Sequence, residues 1–354
     1  MTRLLLLNTD LELGGTPTVI RELALRLHNP PDLHVEVACL GEWGPVADQL
    51  KRAGRDVTAL GARGISDLWV IRRLIDLIRS RNIDTVQSFL VHANSIAAAA
   101  KPACAGVRFF QSIQTTQAHP AWHWRVQRFI HHAAEKIIVP SPSVARVAME
   151  RAKVPADKII IIPNAIDPAD FSPAPIPALN PRPYPIGFLG RLDPVKMVPD
   201  LIRAIAPLGD RVHLHLFGDG PERQAIHRAI RVLNLETRVT LHGSVPRPQD
   251  ALSRIGLLIL PSISEGMPMV LIEAMAAGVP VIGRNVPGVN DVITHNQTGL
   301  LAKSLLIPDL TQSIQQLVDD TALRTKLIQN ATNEVRTKYT WQQVLTRYQN
   351  TLNC

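Results

Sequence analysis

Two glutamates, Glu265 and Glu273, bracket the part of the sequence whose residue types and spacing point most clearly to chemistry. The stretch around them, residues 261–281, predicts a loop containing Gly266, followed by a helix that Pro268 opens and Gly278 closes. The start of such a helix presents free backbone N–H groups and a positive dipole end, which suit a phosphate. Carboxylates beside a phosphate would repel it, so their expected partners are hydroxyl groups of a ribose or another sugar.

Alternating short apolar runs and amphipathic segments must position these residues. The runs are rich in Leu, Ile and Val, as is typical of strands covered on both faces. In the first half they span residues 3–7, 35–40, 57–60, 84–88, 109–115, 136–140 and 158–162. In the second half they span residues 186–189, 212–217, 239–242, 257–260, 279–282 and 299–302. The alternation predicts an α/β protein with two Rossmann-like, doubly wound parallel-sheet domains.

A dense run of prolines divides the two series of strands. Eight prolines stand between positions 163 and 185, a density that neither a helix nor a central strand tolerates. We predict an N-terminal acceptor-binding domain over residues 1–170 and a proline-rich linker over residues 171–185. A C-terminal nucleotide-sugar-binding domain over residues 186–338 and a final helix over residues 339–354 follow. The default ligand site of two such domains is the cleft between them.

Composition and charge narrow the classes of partner. The chain has 354 residues and a formal net charge of +8. A positive net charge favours anionic partners, such as nucleic acid, an anionic membrane surface or a phosphorylated small molecule. The excess is spread evenly, with 20 Lys and Arg against 16 Asp and Glu in residues 1–170. Only 4% of residues are aromatic, which is sparse for a protein that stacks bases along a strand. We expect no nucleic-acid partner.

Cysteines and apolar runs bear on the cellular compartment. Cys39, Cys104 and Cys354 are far apart, so neither a disulfide framework nor a structural zinc site is predicted. The apolar run near the start is too short for a signal peptide, and no uncharged run approaches the ~18 residues that span a bilayer. We expect a cytoplasmic protein that contacts the inner face of a membrane at most peripherally.

Several motifs resemble those of one known family. Glu265 and Glu273 stand within Ser-Glu-Gly-x-Pro and Glu-Ala-Met-Ala-x-Gly-x-Pro, which is similar to the signature of GT-B fold family 4 retaining glycosyltransferases. Further similar segments cover residues 14–15, 92–94, 137–141, 162–167, 190–196, 217–223, 242–245 and 288–293. The resemblance covers nearly the whole chain. It implies the GT-B fold, in which the C-terminal helix crosses back to the N-terminal domain.

Charged residues of the second half take specific roles under this resemblance. It implies a UDP- or GDP-linked sugar as donor, with Arg191 and Lys196 clamping the diphosphate. Two cations there would offset charge that develops on the leaving group, so both are candidate catalytic residues. Glu265, the third catalytic candidate, would bind hydroxyls of the transferred sugar, and Glu273 would bind those of the ribose.

Backbone groups complete the implied donor site. The segment at Val245 would hold the base through its main chain, and Gly14 and Gly15 would let the backbone of the first domain approach the donor. The phosphate and sugar would contact the backbone of Gly266, Met267, Pro268, Met269 and Val270. No strict Asp-x-Asp motif occurs, so we expect neither a metal nor another cofactor, and the cations take the electrostatic role of a metal.

Two positions depart from the family pattern. Where many members place a histidine, this chain has Gln114, which can hydrogen-bond a sugar hydroxyl but cannot act as a base at neutral pH. In the reaction that the resemblance implies, a donor phosphate oxygen takes the acceptor proton on the same face as the leaving group. The usual Lys-Gly reads Lys196-Met197, which we interpret as a loop variation with little consequence for charge.

Residues 119–132 concentrate aromatic and basic side chains. Trp122, Trp124 and Arg125, together with Gln114, are candidates to contact the acceptor or a membrane surface. The alternative is a loop and helix that pack on their own domain. Metal binding is not expected, because Pro120 disrupts the helical spacing of the neighbouring histidines.

The resemblance implies a retaining hexosyltransferase that transfers a sugar from a nucleotide-diphosphate sugar to a hydroxyl of a glycan or glycolipid. Cell-surface polysaccharide or lipid-linked glycan biosynthesis is the expected setting. A catalytically inactive nucleotide-sugar binding or scaffolding protein of the same fold is the alternative, which Gln114 keeps open. A nicotinamide dehydrogenase would need a G-x-G-x-x-G after a strand with an acid about 20 residues on, and that pattern is missing.

Overall fold

The computed structural model describes residues 2–12, 14–29, 32–64, 67–171 and 182–352. It divides the chain into two compact units, one of Met1–Asn164 with Gln342–Cys354 and one of Ala165–Trp341. Most of the linker predicted over residues 171–185 lies outside the described residues.

A parallel sheet forms the centre of the first unit. Its strands are β1 (Thr2–Asn8), β2 (Leu33–Cys39), β3 (Asp56–Ala59), β4 (Thr85–Phe89), β5 (Arg108–Ser112), β6 (Ile137–Val139) and β7 (Ile159–Ile161). Their spatial order is β3-β2-β1-β4-β5-β6-β7. The four leucines of β1 at positions 4–7 are fully buried, as expected for a central strand that helices cover on both faces.

Helices connect these strands and bury their apolar faces on the sheet. They are α1 (Gly15–Leu27), α2 (Pro45–Arg52), α3 (Trp69–Ser80), α4 (Leu90–Ala100), α5 (Trp122–Ile130) and α6 (Pro142–Ala152). Helix α4 starts directly after β4, and α1 and α5 follow loops that leave the carboxyl ends of β1 and β5. The residues most open to a ligand in such a fold therefore lie at the carboxyl edge of the sheet.

A second parallel sheet forms the centre of the other unit. Its strands are β8 (Tyr184–Leu189), β9 (Val212–Phe217), β10 (Val239–Gly243), β11 (Leu257–Leu260), β12 (Val281–Arg284) and β13 (Leu300–Ala302), in the order β10-β9-β8-β11-β12-β13. The helices of this unit are α7 (Val198–Ile205), α8 (Arg223–Val232), α9 (Pro248–Leu252), α10 (Met269–Ala276), α11 (Ile307–Asp319) and α12 (Thr321–Lys338). Each apolar run predicted as a strand overlaps one of the 7 and 6 strands of the two sheets. The prediction of two Rossmann-like domains is confirmed.

The last helix, α13 (Trp341–Leu352), belongs to the first unit from Gln342 onward. Tyr348 and Leu352 are buried, and the Leu352 carbonyl accepts a hydrogen bond of 2.7 Å from the Arg108 guanidinium on β5. This confirms the expectation that the C-terminal helix returns to the N-terminal domain. Across the described ranges, no helix is both long enough and apolar enough to cross a membrane.

Candidate active site

Lys196 and Glu265, two of the predicted catalytic residues, form an ion pair in the second unit. The Lys196 ammonium donates to Glu265 Oε1 at 2.6 Å, and only 21% and 11% of the two side chains remain exposed. Lys196 ends the short turn Pro194–Lys196 after β8, and Glu265 lies in the loop after β11. Since β8 and β11 are neighbours, the carboxyl edge of the sheet brings the two side chains together.

Backbone contacts hold the loops that carry this pair. The Ile263 N–H donates to the Val195 carbonyl at 3.0 Å, so each loop is tied to the other one or two residues away from the charged side chains. The loop after β12 packs closely against the Glu265 backbone. A Cβ on Gly288, in that loop, would stand only 2.2 Å from the Glu265 carbonyl oxygen. Gly288 also has a φ of +84°, which favours glycine. The ion pair is therefore held by main-chain contacts on two sides.

Arg191, the third catalytic candidate, is far more exposed than Lys196. Its side chain is 70% exposed, and its Nε donates to the Asp193 carboxylate at 3.0 Å. The loop beneath it is close-packed, because a Cβ on Gly218 would lie only 1.9 Å from the Gly190 carbonyl oxygen. An exposed arginine on a rigid loop can turn toward a ligand at the cost of a weak surface ion pair.

The segment predicted to contact phosphate lies at the N-terminus of α10. Gly266, Met267 and Pro268 are buried and Met269 and Val270 are half-buried. Pro268 is the N-cap residue, and among the described residues no side chain caps this end of the helix. Because the first N–H groups of a helix lack intrahelical partners, this end can accept an anion.

Glu273 stands in the second turn of α10 between apolar neighbours. Its side chain is half-buried, and among the described residues it has neither a hydrogen-bond donor nor an ion-pair partner. Burial alone raises the pKa of its carboxyl from 4.5 to about 7. An unpartnered carboxyl of this kind is costly in the free protein, and hydroxyl donors of a ligand would remove the cost.

Val245, predicted to lie beside the base, follows the carboxyl end of β10. It is half-buried and packs on the core of the second unit. The Gly218 N–H donates to the Gly243 carbonyl at 2.7 Å, which ties the ends of β9 and β10 together just before Val245. The structure thus gives Arg191, Lys196, Glu265, α10 and Val245 a common sheet edge.

Gly14 and Gly15 mark the corresponding edge of the first unit. Gly14 is extended, with a φ of 176°, and Gly15 begins α1; both are exposed. A Cβ on Gly15 would meet no atom within 4 Å, and one on Gly14 would make only an ordinary contact of 3.6 Å with Pro17. The fold itself therefore does not require glycine here, and a close-approaching ligand remains the predicted reason for it.

Gln114 connects to a chain of buried amides behind the carboxyl end of β5. Its amide nitrogen donates to the Ser112 hydroxyl at 2.7 Å. Deeper in the unit, the Asn94 amide donates to Gln127 at 3.1 Å, and Gln127 donates to Gln111 at 2.7 Å. The side chain of Gln114 is thus anchored through its nitrogen, which leaves its carbonyl oxygen as the group that can accept from a hydroxyl.

The predicted acceptor residues on α5 separate into surface and core positions. Trp122 is 42% exposed and packs edge-on against the imidazoles of His92 and His123, at centroid distances of 5.6 and 4.1 Å. Burial, and then the neighbouring His92, lower the pKa of His123, so the neutral form of the His123 ring is favoured. Arg125 is exposed.

Trp124 departs from its predicted role. It is 6% exposed, and its indole N–H donates to the Gln117 carbonyl at 2.8 Å. Its ring belongs to the cluster that packs α5 and α6 on the sheet, so it offers no face to an acceptor. The helical period explains the difference, because residues two positions apart lie on different sides of a helix.

One group of potential metal ligands lies at the opposite edge of the first sheet. His34, Glu36 and Asp56 bring their ligand atoms within 4.8 Å of one another near the amino ends of β2 and β3. The guanidinium groups of Arg3 and Arg81 stand 3.6 and 4.0 Å from the Glu36 carboxylate. Because these cations already offset the charge of Glu36, we interpret the group as an ion-pair network.

Sequence reasoning missed three charged residues near the carboxyl edge of the second sheet, which we call the donor edge because the predicted donor residues lie there. Asp193 pairs with Arg191, and Arg284 at the end of β12 pairs with Asp200 in the first turn of α7 at 2.7 Å. The available signal was an arginine in the otherwise apolar run Val-Ile-Gly-Arg, which indicates a buried charge that needs a partner.

Known proteins resemble this chain in sequence and fold. N-acetyl-alpha-D-glucosaminyl L-malate synthase of Bacillus anthracis is 32% identical over 157 residues, which cover 44% of this chain and 41% of that protein. Glycogen synthase of Mycobacterium tuberculosis is 27% identical over 299 residues, covering 76% and 70%. The matches span less than half the length of the first curated relatives.

The crystal structure of Anabaena HepE in complex with UDP and glucose aligns with a TM-score of 0.89 at 19% identity, over 100% of both chains, which shows the fold. The family model of glycosyltransferase family 4 matches residues 13–170, and that of glycosyl transferases group 1 matches residues 175–334. Together they leave only residues 171–174 unmatched between positions 13 and 334, and the chain therefore belongs to the family 4 glycosyltransferases of the GT-B fold.

Proposed function

We propose that this protein transfers a sugar from a nucleotide-diphosphate sugar, UDP- or GDP-linked, to a hydroxyl of a glycan or glycolipid acceptor, with retention of configuration at the anomeric carbon. The observation that carries the proposal is Glu273, a half-buried carboxyl at the donor edge with a pKa raised by burial to about 7 and no partner among the described residues. Ribose hydroxyls would supply the hydrogen bonds that it lacks.

The Lys196–Glu265 pair defines how the donor would be received. In the free protein the ammonium and the carboxylate neutralise each other at 2.6 Å. On donor binding, Lys196 turns toward the diphosphate and Glu265 accepts from hydroxyls of the transferred sugar. The charge of Lys196 then stabilises the leaving group as the bond between its oxygen and the anomeric carbon breaks.

Arg191 adds a second cation that is held less tightly. Its exposed guanidinium can leave Asp193 and contact the diphosphate, where two N–H groups can bind two phosphate oxygens. The N-terminus of α10 receives the remaining phosphate oxygens through the N–H groups of Met269 and Val270, and the backbone of Gly266, Met267 and Pro268 lies against the donor. No metal is needed in this proposal, since the cations and the helix supply the positive charge.

The acceptor step draws on uncharged groups of the first unit. The acceptor oxygen forms a bond to the anomeric carbon while its proton moves to an oxygen of the departing diphosphate. Gln114 orients a hydroxyl through its carbonyl oxygen and does not take a proton. Trp122 offers an exposed aromatic face for a sugar ring, and Arg125 stands three positions further along α5.

The experiment combines binding with product analysis. The purified protein is screened by thermal shift against UDP- and GDP-sugars, and a true donor raises the unfolding temperature by mass action. The stabilising donor is then incubated with simple glycan acceptors, and the anomeric configuration of the product is determined by NMR. Retention of configuration supports the proposal, whereas inversion overturns the retaining mechanism and no stabilisation by any donor overturns the site.

A catalytically inactive nucleotide-sugar binder remains a second candidate because Gln114 occupies the histidine position. It predicts the same thermal stabilisation but neither transfer nor hydrolysis of the donor. Turnover of any stabilising donor excludes it.

We further propose that the protein works in the cytoplasm on cell-surface polysaccharide or lipid-linked glycan, with peripheral contact to an anionic membrane. Phe129 is 77% exposed on α5 beside the exposed Arg128, a pairing of apolar and basic groups that suits an anionic interface. Co-sedimentation with vesicles that contain anionic lipid tests the contact, and an unchanged distribution in the double variant F129S/R128S contradicts it.

A further inference from the structure

A buried ion pair stands beside the donor edge without belonging to the predicted donor contacts. Arg284 is 1% exposed, and its terminal nitrogen donates to Asp200 Oδ2 at 2.7 Å. It is the largest fully buried side chain among the described residues. A guanidinium so deeply enclosed cannot reach a ligand itself, so any role in the reaction must pass through its partner.

The buried arginine is imperfectly satisfied. Its Nε–H has no hydrogen-bond partner in the described part of the chain. Burying a charge is costly unless partners compensate it, and an apolar pair of similar volume would often be at least as stable. Fold stability alone is therefore a weak reason for an arginine at this position.

A short chain of contacts leads from Arg284 to Lys196. The Asp200 N–H donates to the Met197 carbonyl at 3.0 Å, and the Lys196 N–H donates to the Asp193 carbonyl at 2.9 Å. Met197, between them, is left-handed with a φ of 50°, which is unfavourable for a residue with a Cβ. The turn that presents Lys196 thus needs support from its neighbours.

The strand that carries Arg284 also supports the other half of the ion pair. Four residues after Arg284, Gly288 packs against the Glu265 backbone. Strand β12 therefore braces Glu265 through its loop and Lys196 through the Arg284 side chain.

We propose that Arg284 is a positioning residue for donor binding, which acts through Asp200 and the turn at Met197 to hold Lys196 where it meets the diphosphate. The inference rests on the proposed function, because it presupposes that Lys196 contacts the donor. In this role Arg284 sets the affinity for the donor in addition to stabilising the fold.

Arg203, the second arginine that pairs with Asp200, provides the matched control. The other oxygen of Asp200, Oδ1, accepts from Arg203 at 3.0 Å, and that arginine is 52% exposed. Arg203→Met removes a cation from the same carboxylate but leaves the buried tether to β12. We expect the affinity for nucleotide to stay within about twofold of the parent protein, as for an ordinary surface pair.

The experiment is a double-mutant cycle on the affinity of the full chain for UDP and for GDP, measured by calorimetry. Lys196→Ala is expected to weaken binding of the nucleotide that the parent protein prefers by about 10- to 100-fold. Arg284→Met is expected to weaken it by about tenfold. In the Lys196→Ala background, Arg284→Met should have almost no further effect, because the group that it positions is gone. Arg284→Lys keeps the charge, so its affinity for the nucleotide should lie between those of Arg284→Met and the parent protein. If Arg284→Met does not fold, Arg284→Lys takes its place in the cycle.

The outcomes separate the two proposals. In the first case, the parent protein binds nucleotide and Lys196→Ala weakens binding, but Arg284→Met has no effect or an effect that simply adds to that of Lys196→Ala. Arg284 is then structural, and this inference fails while the proposed donor site stands. If the parent protein binds neither nucleotide, or Lys196→Ala leaves binding intact, the proposed donor site fails and this inference fails with it.

Discussion

The carboxyl edges of the two sheets have the same layout but carry different chemistry. In the second unit that edge holds charged groups: the Lys196–Glu265 and Arg191–Asp193 pairs and Glu273, which has no partner among the described residues. In the first unit the predicted acceptor contacts are mainly uncharged, namely Gln114 on Ser112 and the ring of Trp122 beside two histidines, with Arg125 as the one charged member.

Under the proposed function, each unit would serve one half of the transfer reaction. A diphosphate leaving group needs cations, and a cation held by a carboxylate is available without being an isolated buried charge. A hydroxyl acceptor needs hydrogen bonds and an apolar face but no charge. The contrast between the charged donor candidates and the mainly uncharged acceptor candidates fits the proposed function, and the following variants test it.

The largest expected effect is a loss of stability that distinguishes Trp124 from Trp122, the two tryptophans of α5. Trp124→Ala removes a buried ring and its hydrogen bond to Gln117, and should destabilise the protein by about 4 kcal/mol. Trp122→Ala removes a half-exposed ring and should cost less than about 1 kcal/mol while lowering transfer to the acceptor. Urea unfolding measures the first effect and the KM for acceptor the second. Equal loss of stability in both variants would contradict the separation of core and surface roles.

The charged edge should be most sensitive at Lys196. Lys196→Ala is expected to lower kcat/KM by about 100- to 1000-fold, because it removes a cation that stabilises the leaving group. The control is Lys338→Ala, since Lys338 also pairs with a glutamate, Glu334, at 2.8 Å but is 61% exposed. Steady-state kinetics of both variants make the measurement. A similar loss in both would show that general charge, and not this position, matters.

Glu273 makes the charged edge sensitive to pH. Its pKa is raised in the folded protein from 4.5 to about 7, so the folded state holds the proton more tightly than the unfolded state. The contribution of Glu273 to stability is therefore greatest below the unfolded pKa of 4.5 and is lost as the pH rises through the folded pKa of about 7. Glu273→Gln should be more stable than the parent protein by at most about 3 kcal/mol above pH 7, with the difference vanishing below pH 4.5.

Unfolding of Glu273→Gln and the parent protein across this pH range checks the sign. The same variant should bind the donor more weakly, because a neutral amide is a poorer acceptor for ribose hydroxyls than a carboxylate. A stability difference that does not depend on pH would show that the Glu273 carboxyl is not held at a raised pKa.

The smallest effect concerns the turn beside Lys196. Met197→Gly should stabilise the protein by about 0.5 kcal/mol. Glycine adopts the left-handed φ of 50° without strain, and the strain relieved exceeds the extra conformational entropy that glycine loses on folding. Met197→Ala keeps a Cβ and should bring no such gain. Thermal unfolding of the two variants distinguishes them, and a gain in the alanine variant would assign the effect to the methionine side chain.

Much of the molecule could be predicted from the chain alone. The apolar runs matched the strands of both sheets because buried parallel strands leave a continuous apolar signal. The predicted donor residues Arg191, Lys196 and Glu265 do lie at one sheet edge, because loops that leave neighbouring parallel strands emerge on the same side.

Pairings between distant positions could not be predicted in this way. The sequence showed Lys196 and Glu265 as separate donor contacts, whereas the structure joins them in one ion pair across 69 positions. It gave no partner for Arg284, which meets Asp200 across 84 positions. It also offered Trp122 and Trp124 as equivalents, although only one keeps an exposed face.

The sequence by itself thus determined the two-domain parallel α/β architecture, the donor motif around Glu265 and Glu273, and the membership of the family. The tertiary structure decided which charges neutralise each other, which carboxyl lacks a partner in the described part of the chain, and which aromatic ring is buried. The physical reason is that strand and helix periodicity is local, whereas the environment of a charge depends on side chains that only the packed fold brings within a few ångströms.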